Sequence, residues 1–182
     1  TQRVRHTDYL STHPFSPLRL RAAQAFTQSE ACVKGGTSLA ALEVAVLDIM
    51  AVMEGNYLDE DSPAGAAMRR LLFAAGLLVA AASAPIEPEE IAALEALLGP
   101  GSVPPGVDIE RLQSLLSRRI DEVNTLASPA RRATLLRDLV VLARADGRVD
   151  EAETAVMREI ARGLALDSMV VDVVLKSATA LD

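Results

Sequence analysis

Three acidic residues with a fixed spacing are the part of this sequence best suited to chemistry. Asp146 is followed by Gly147, and Asp150 and Glu153 follow at short intervals along the same stretch. In a twelve-residue calcium-binding loop, this spacing places a glycine at the sharp turn and a glutamate at the final, bidentate position. Carboxylate oxygens are the ligands that hard cations such as Ca²⁺ prefer. The sequence therefore predicts Asp146, Asp150 and Glu153 as candidate metal ligands.

Only the second half of such a loop is present. Its first and third positions would be Leu142 and Arg144, which supply no carboxylate, whereas Ca²⁺ takes about 6 to 8 oxygen ligands. The same stretch also suits helix ends, because Gly147 can terminate one helix, Asp150 can cap the next and Glu153 can complete a capping box. Capping is the interpretation that the pattern favours, and a weakly bound divalent cation such as Ca²⁺ is the alternative.

The acidic turn has a degenerate copy in the first half of the chain. Residues 62–64 and 128–130 both read Ser-Pro-Ala and begin apolar stretches that carry arginines, and the turns after these stretches align. In the first turn, residues 83–84 are Ser-Ala instead of Asp-Gly. The sequence therefore predicts an internal duplication with halves at about 62–99 and 128–163. The aligned pairs are Ile86 with Val149, Glu87 with Asp150 and Glu90 with Glu153.

The elements that must position these residues are predicted to be helices throughout. Half of the residues are hydrophobic but only 3% are aromatic, and the apolar residues recur at three- and four-residue steps, which favours an all-α bundle. Proline and acidic caps mark the helix starts, and glycines mark several ends. The predicted helices cover about 16–31, 37–55, 62–83, 87–99, 108–127, 128–145, 150–163 and a short stretch from 167.

Composition divides the chain near residue 35. Residues 1–30 have a net charge of +2 and hold both histidines and three of the five aromatic residues, whereas the rest of the chain carries −9. The Gly-Gly pair at 35–36 indicates a linker. We therefore expect one region over 1–34, which includes a connecting helix, and an all-α domain over 37–182, in which the Pro- and Gly-rich loop 99–106 joins the two halves.

Several function classes are disfavoured by composition. A net charge of −7 without a basic stripe argues against nucleic acid as a partner. The longest uncharged apolar run, 71–84, is shorter than the ~18 residues that a membrane span needs, so we expect a buried core helix there. The single cysteine, Cys32, suits a reducing, cytoplasmic compartment. The sequence contains no HExxH, Walker or Ser/His/Asp signature.

Residues 130–175 resemble the TerB-like helical domains that were first named for tellurite resistance. This resemblance implies an all-α fold whose turn carries acidic residues, which have been proposed in that family to bind metal ions. A degenerate copy at about 66–98 resembles the same domain, and its Ser-Ala pair weakens the case for an ion there. The matching positions are Asp146, Gly147, Val149, Asp150 and Glu153.

The N-terminal segment 9–19 resembles the closing segment of the catalytic domain of HtpX-like zinc metallopeptidases. In that family a Ser-x-His-Pro stretch is followed by an arginine, and the matching residues are His13 and Arg19. The resemblance implies accessory catalytic roles for both, in binding substrate or stabilising the transition state. The family holds its Zn²⁺ with an HExxH helix and a glutamate that precede this segment. We therefore expect a C-terminal part of such a peptidase that is not proteolytic on its own.

Three functions of different classes follow. In the first, the chain is a non-catalytic regulatory or interaction domain of a zinc metallopeptidase. It then has no cofactor of its own, and its partners are the upstream peptidase domain, protein substrates or other helices. The second is a self-contained domain that binds a divalent cation at the acidic turn, in ion sensing or the response to tellurite. The third is a scaffold that forms oligomers through its Ala-rich helices.

Overall fold

The computed structural model describes residues 16–52, 54, 56–82 and 85–179. Within these residues the regular structure consists of eight helices and one isolated bridge between Ser29 and Thr37, which confirms the all-α prediction. The helices are α1 (Ser16–Thr27), α2 (Leu39–Ala51), α3 (Pro63–Ala80), α4 (Pro88–Leu98), α5 (Ile109–Leu126), α6 (Pro129–Ala143), α7 (Glu151–Gly163) and α8 (Met169–Thr179).

The chain forms two compact units, residues 1–55 and 56–182. Helices α1 and α2 belong to the first unit, and α3 to α8 belong to the second. The boundary expected at 34–37 falls in the loop between α1 and α2, inside the first unit. Backbone hydrogen bonds hold this loop, including one of 2.8 Å from the Glu30 N–H to the Thr37 carbonyl.

In the described part of the first unit, several large apolar side chains are exposed. Helix α1 packs against α2, and among the described side chains of α2 only Leu47 and Ile49 are buried. Other apolar side chains of α2 face solvent, since Leu39 is 57% exposed and Met50 is 46% exposed.

Helix α3 forms the core of the second unit. Twelve of its 18 residues are buried, and it contacts α4, α5, α6 and α7. A Cβ on Gly76 would lie 3.1 Å from the side chain of Leu142 and 3.3 Å from that of Leu94, so glycine allows this close approach. Among the described helices, α3 is the one long and apolar enough to cross a membrane, and 67% of it is buried inside the protein. The expected buried core helix is thus present.

The helix pairs α3–α4 and α6–α7 follow the predicted duplication. Each pair begins at a serine cap: Ser62 accepts a hydrogen bond from the Gly65 N–H at 3.0 Å, and Ser128 accepts one from the Arg131 N–H at 3.2 Å. Helix α6 packs against both α3 and α4. This packing brings the turn after α6 beside the start of α4.

The segment 56–62, which we call the strap, is fastened to two helices of the second unit. Tyr57 is 1% exposed, and its hydroxyl donates a hydrogen bond of 2.5 Å to the carboxylate of Asp138 in α6. The Arg69 guanidinium of α3 donates to three strap carbonyls at 2.8 to 3.2 Å. The strap is thereby held against α3 and α6 together.

Candidate functional site

The turn between α6 and α7 carries the predicted ligands. Gly147 has a φ of +89°, which glycine adopts without strain, and its N–H donates to the Arg144 carbonyl at 2.9 Å. The Asp146 carboxylate accepts a hydrogen bond from the Arg148 backbone N–H at 3.0 Å. The turn therefore presents the Asp146 carboxylate close to the start of α7.

Asp150 and Glu153 form the predicted capping box. The Asp150 carboxylate accepts a hydrogen bond from the Glu153 N–H at 2.9 Å, and the Glu153 carboxylate accepts one from the Asp150 N–H at 2.8 Å. Both bonds satisfy N–H groups that the first turn of a helix leaves without a partner. Capping is thus confirmed, and in each carboxylate one oxygen serves the cap.

The first copy of the duplication repeats one of these bonds. At the start of α4, the Glu90 carboxylate accepts a hydrogen bond from the Glu87 N–H at 2.8 Å, as Glu153 does with Asp150. The two copies therefore share the geometry of the cap. Residues 83 and 84, which replace the Asp-Gly pair, lie outside the described residues.

Carboxylates from both copies line one cavity, which we call the acidic cleft. Its volume is about 270 Å³. The sequence alignment related Glu87 and Glu90 to the predicted ligands but did not place them in the same site. The duplication was the sequence feature that could have predicted this shared site, because packing two repeats together brings equivalent turns close to each other. The charged lining residues are Glu87, Glu90, Asp146, Arg148, Asp150 and Glu153.

Burial and repulsion together perturb the two most buried carboxyl groups of the acidic cleft. Glu90 is 8% exposed and Glu153 is 6% exposed. Burial raises the pKa of Glu90, and the charge of Asp146 adds to this effect. Burial likewise raises the pKa of Glu153, with further contributions from Asp150, Glu90 and Asp146. The N–H groups that the two carboxylates cap oppose these shifts. Negative charges of the two copies therefore repel one another across the cleft.

The acidic cleft suits a cation by its charge and donor type, but its side chains do not converge on a single point. Within the described residues, no three carboxylate, histidine or cysteine side chains are placed to hold one metal ion. The capping bonds turn Glu90 and Glu153 toward backbone N–H groups, and the Arg148 guanidinium lies 3.7 Å from the Asp146 carboxylate. Six or more oxygens around Ca²⁺ would therefore require side-chain rotation in the cleft.

Of the two predicted accessory residues, His13 and Arg19, the structure describes only Arg19. His13 lies outside the described residues. Arg19 lies on α1 with an exposed side chain, in the unit that does not contain the acidic cleft. The roles of His13 and Arg19 beside a zinc site stay predictions.

Comparison with known proteins gives one family. A family model described as tellurite resistance protein TerB matches residues 69–172, which is more than half of the chain and includes all five carboxylates of the acidic cleft. No curated protein and no solved structure gives a significant match, so the resemblance to HtpX-like peptidases has no support beyond the N-terminal segment itself. The matched region covers most of residues 130–175 and most of the first copy at about 66–98. The chain belongs to the TerB tellurite-resistance family.

Proposed function

We propose that the TerB domain of this chain is a non-catalytic module that binds a divalent cation, with Ca²⁺ as the first candidate, in the acidic cleft. One observation carries this proposal: five carboxylates, drawn from both copies of the duplication, line a single cavity. Such a concentration of negative charge attracts hard cations. The same charge repels tellurite, which is an oxyanion, so the cleft favours a cation over the anion in the family's name.

The electrostatics of the cleft support cation binding. The raised pKa values of Glu90 and Glu153 mean that the folded protein holds these charges at a free-energy cost. A bound cation would lower that cost. Binding should therefore release protons and weaken as the pH falls.

The affinity should be modest, because the side chains must rearrange. The Arg148 side chain is 88% exposed, so its ion pair with Asp146 is weak and easily broken. The coordination shell of Ca²⁺ is flexible and can recruit oxygens that turn toward it. A site that is not organised in advance should bind Ca²⁺ at about 10⁻⁴ to 10⁻³ M.

Thermal unfolding with and without Ca²⁺ tests the proposal. If the Kd is about 1 mM, Ca²⁺ at about 10 mM should stabilise the fold by about 1.4 kcal/mol and raise the Tm by several degrees. Mg²⁺ at the same concentration controls for ionic strength and should shift the Tm less, because it demands a stricter octahedral shell. An unchanged Tm in Ca²⁺ would refute the proposal.

Glu153→Gln is the informative variant, because glutamine can keep the capping box while the charge is lost. Without Ca²⁺ it should be at least as stable as the wild type, and its Tm shift in Ca²⁺ should fall by more than half. Glu110→Gln is the matched control, since it removes an exposed carboxylate from the first turn of α5. Equal losses of the Ca²⁺ response in both variants would indicate general screening of charge instead of a site.

We propose further that the chain is a non-catalytic C-terminal regulatory or interaction domain of a zinc metallopeptidase, as the resemblance of the N-terminal segment suggests. One structural observation favours a partner for the first unit: Leu20, Phe26 and Val52 are each more than half exposed. Reading the coding DNA upstream of residue 1 tests this placement. An in-frame HExxH motif followed by a glutamate ligand would support it. If the motif is absent, the peptidase proposal is refuted and the cation proposal is unaffected.

A further inference from the structure

The strap is attached to the second unit through helix side chains. Among the described residues, the hydrogen bonds and ion pairs that join residues 56–61 to α3 and α6 each end on a side chain of those helices. These side chains belong to Arg69, Arg131 and Asp138. Release of residues 56–61 therefore breaks no backbone hydrogen bond of either helix. The strap can leave in a local opening, without unfolding of the bundle.

Three anchors of different chemistry hold the strap. The buried Tyr57 donates its hydroxyl hydrogen to Asp138, and the Arg131 guanidinium lies 2.5 Å from the Glu60 carboxylate. Arg69 instead binds three main-chain carbonyls of the strap. Two anchors thus recognise side chains and one recognises the backbone. Proteins that bind short peptides combine these same kinds of contact, and tyrosine and arginine are frequent anchors in them.

The surface of α3 is shaped to receive the strap backbone. A Cβ on Gly65 would lie 2.6 Å from the Glu60 carbonyl oxygen and 3.0 Å from that of Tyr57. Glycine inside a helix lowers its stability relative to alanine. Helix α3 therefore gives up some helix stability at the point where a second, non-helical backbone lies against it.

The strap carries its own local turn. The Asn56 side-chain oxygen accepts a hydrogen bond from the Leu58 N–H at 3.1 Å, and its amide donates one to the Asp59 carboxylate at 3.0 Å. Asparagine favours such turns because its side chain bonds to the backbone two residues later. A short peptide of this sequence would keep part of the turn, which lowers the entropy lost on binding.

We propose that the groove beneath the strap is a peptide-binding site, which the strap occupies in cis and which a partner segment with tyrosine and, three residues later, glutamate takes when the strap is released. We call it the strap groove, and its binding residues are Gly65, Arg69, Arg131 and Asp138. The strap is then a built-in competitor, and the fraction of molecules with a released strap sets the apparent affinity for the partner. This inference goes beyond cation binding and does not depend on it.

A titration in ¹⁵N NMR tests the proposal with the intact chain carrying Tyr57→Ala, which removes the buried anchor of the strap. The probe is the acetylated and amidated peptide Asn-Tyr-Leu-Asp-Glu-Asp, the sequence of residues 56–61. We expect saturable amide shifts around Arg69 and Asp138 with a Kd below about 1 mM. The wild type should bind the peptide at least about tenfold more weakly, because the tethered strap competes at high effective concentration.

Glu60→Ala is the second variant, in case Tyr57→Ala does not fold. It removes one ion pair of a side chain that is 33% exposed, so the fold should survive. Its loosened strap should let the peptide bind more tightly than the wild type does. Absence of saturable binding to both variants up to about 10 mM peptide would overturn the proposal.

Three altered peptides test the chemistry of recognition. A peptide with phenylalanine in place of tyrosine should bind about tenfold more weakly, the loss expected for a hydrogen bond to a charged group. A phosphotyrosine peptide should not bind, because its phosphate would be buried against the Asp138 carboxylate. A scrambled peptide of the same composition should not bind either. Equal binding of the scrambled peptide, or tighter binding of the phosphopeptide, would contradict the inference.

Gly65→Ala locates the site. Added to the Tyr57→Ala chain, it should abolish peptide binding, because its Cβ takes the space of the bound backbone. Arg118→Gln, at an exposed position of α5, should leave binding unchanged. Equal peptide affinity with and without Gly65→Ala would show that the peptide binds elsewhere. These titrations need no Ca²⁺ and no upstream peptidase, so their outcome is independent of both proposed functions.

Discussion

Tyr57 and Asp138 are 81 positions apart in sequence and share a hydrogen bond of 2.5 Å. Burial raises the pKa of Asp138, while the hydrogen bond from Tyr57 and the charge of Arg137 lower it. Burial, followed by the charge of Asp138, raises the pKa of Tyr57, so the hydroxyl stays protonated as a donor. This pair is therefore a fixed link between the strap and α6.

Tyr57→Phe should destabilise the fold by about 1 to 3 kcal/mol near neutral pH, because the buried carboxylate of Asp138 loses its donor. The folded-state pKa of Asp138 is raised, so protonation favours the folded state, and stability is gained as the pH falls through that pKa. Removing the donor raises this pKa further. The deficit of the variant should therefore shrink on going from about pH 7 to about pH 5.

Urea unfolding of the wild type and Tyr57→Phe at both pH values measures this effect. Asp138→Asn is the control, because it keeps an oxygen acceptor and removes the titration. In the Asp138→Asn background, the deficit caused by Tyr57→Phe should be independent of pH. A deficit of the same size at both pH values in the native background would contradict this account of Asp138.

At the scale of single residues, hydrogen bonds between residues close in sequence could be predicted. Hydrogen bonds between residues distant in sequence could not. The capping box of Asp150 and Glu153 joins residues three positions apart, so its pattern is local. The Tyr57–Asp138 bond depends on where α6 packs, and nothing in the neighbourhood of either residue indicates the other. The inclusion of Glu87 and Glu90 in the acidic cleft lies between these cases, because the duplication aligns them with the predicted ligands Asp150 and Glu153.

Helix α7 ends in a backbone conformation that favours glycine, yet the residue there is alanine. Ala165 has a φ of +54°, which costs an L-residue about 1 to 2 kcal/mol. The turn is fixed by a hydrogen bond of 3.0 Å from the Leu166 N–H to the Ala161 carbonyl. The Arg132 guanidinium also donates to the Leu164 carbonyl at 2.6 Å. These contacts hold Ala165 in a strained conformation.

Ala165→Gly should raise the free energy of unfolding by about 0.5 to 1 kcal/mol, since the relief of strain exceeds the added entropy of the unfolded chain. Urea unfolding measures the change. Ala155→Gly, at an exposed position inside α7, should instead lower stability by about 1 kcal/mol. A loss of stability in both variants would show that Ala165 is not strained.

Helix starts were easier to predict than helix ends. Ser62 and Ser128 precede prolines, and such a serine-proline pair both caps the helix and presets its first turn, so the starts of α3 and α6 agree with expectation. Helix α1 was expected to reach about residue 31 but ends at Thr27, because Ser29 joins the bridge to Thr37. That bridge depends on a residue eight positions later, which a helical pattern does not reveal.

The second unit should fold without the first, and the strap should be part of what stabilises it. A chain of residues 56–182 should unfold cooperatively in urea. A chain of residues 63–182 should be less stable by at least about 2 kcal/mol, because it loses the buried Tyr57–Asp138 bond and the carbonyl partners of Arg69. Equal stability of the two chains would show that the strap contributes nothing.

Composition and the repeated Ser-Pro-Ala starts were sufficient to predict an all-α molecule with an internal duplication. They were not sufficient to predict that the repeats face each other across the acidic cleft, because that depends on how closely α6 approaches α3. Gly76, where a Cβ would meet Leu142, allows this approach. A glycine in a helical pattern indicates such packing only once the partner helix is known.

The burial of α3 also bears on how the protein is made. Of the helices that cover it, α4, α5, α6 and α7 all come later in the chain. At translation rates of about 5 to 20 residues per second, roughly 4 to 17 s pass between synthesis of the end of α3 and the end of α7. During that interval the nascent polypeptide exposes a helix that by composition could enter a bilayer. Until the ribosome has delivered these later helices, α3 lacks the partners that bury its apolar residues in the folded protein.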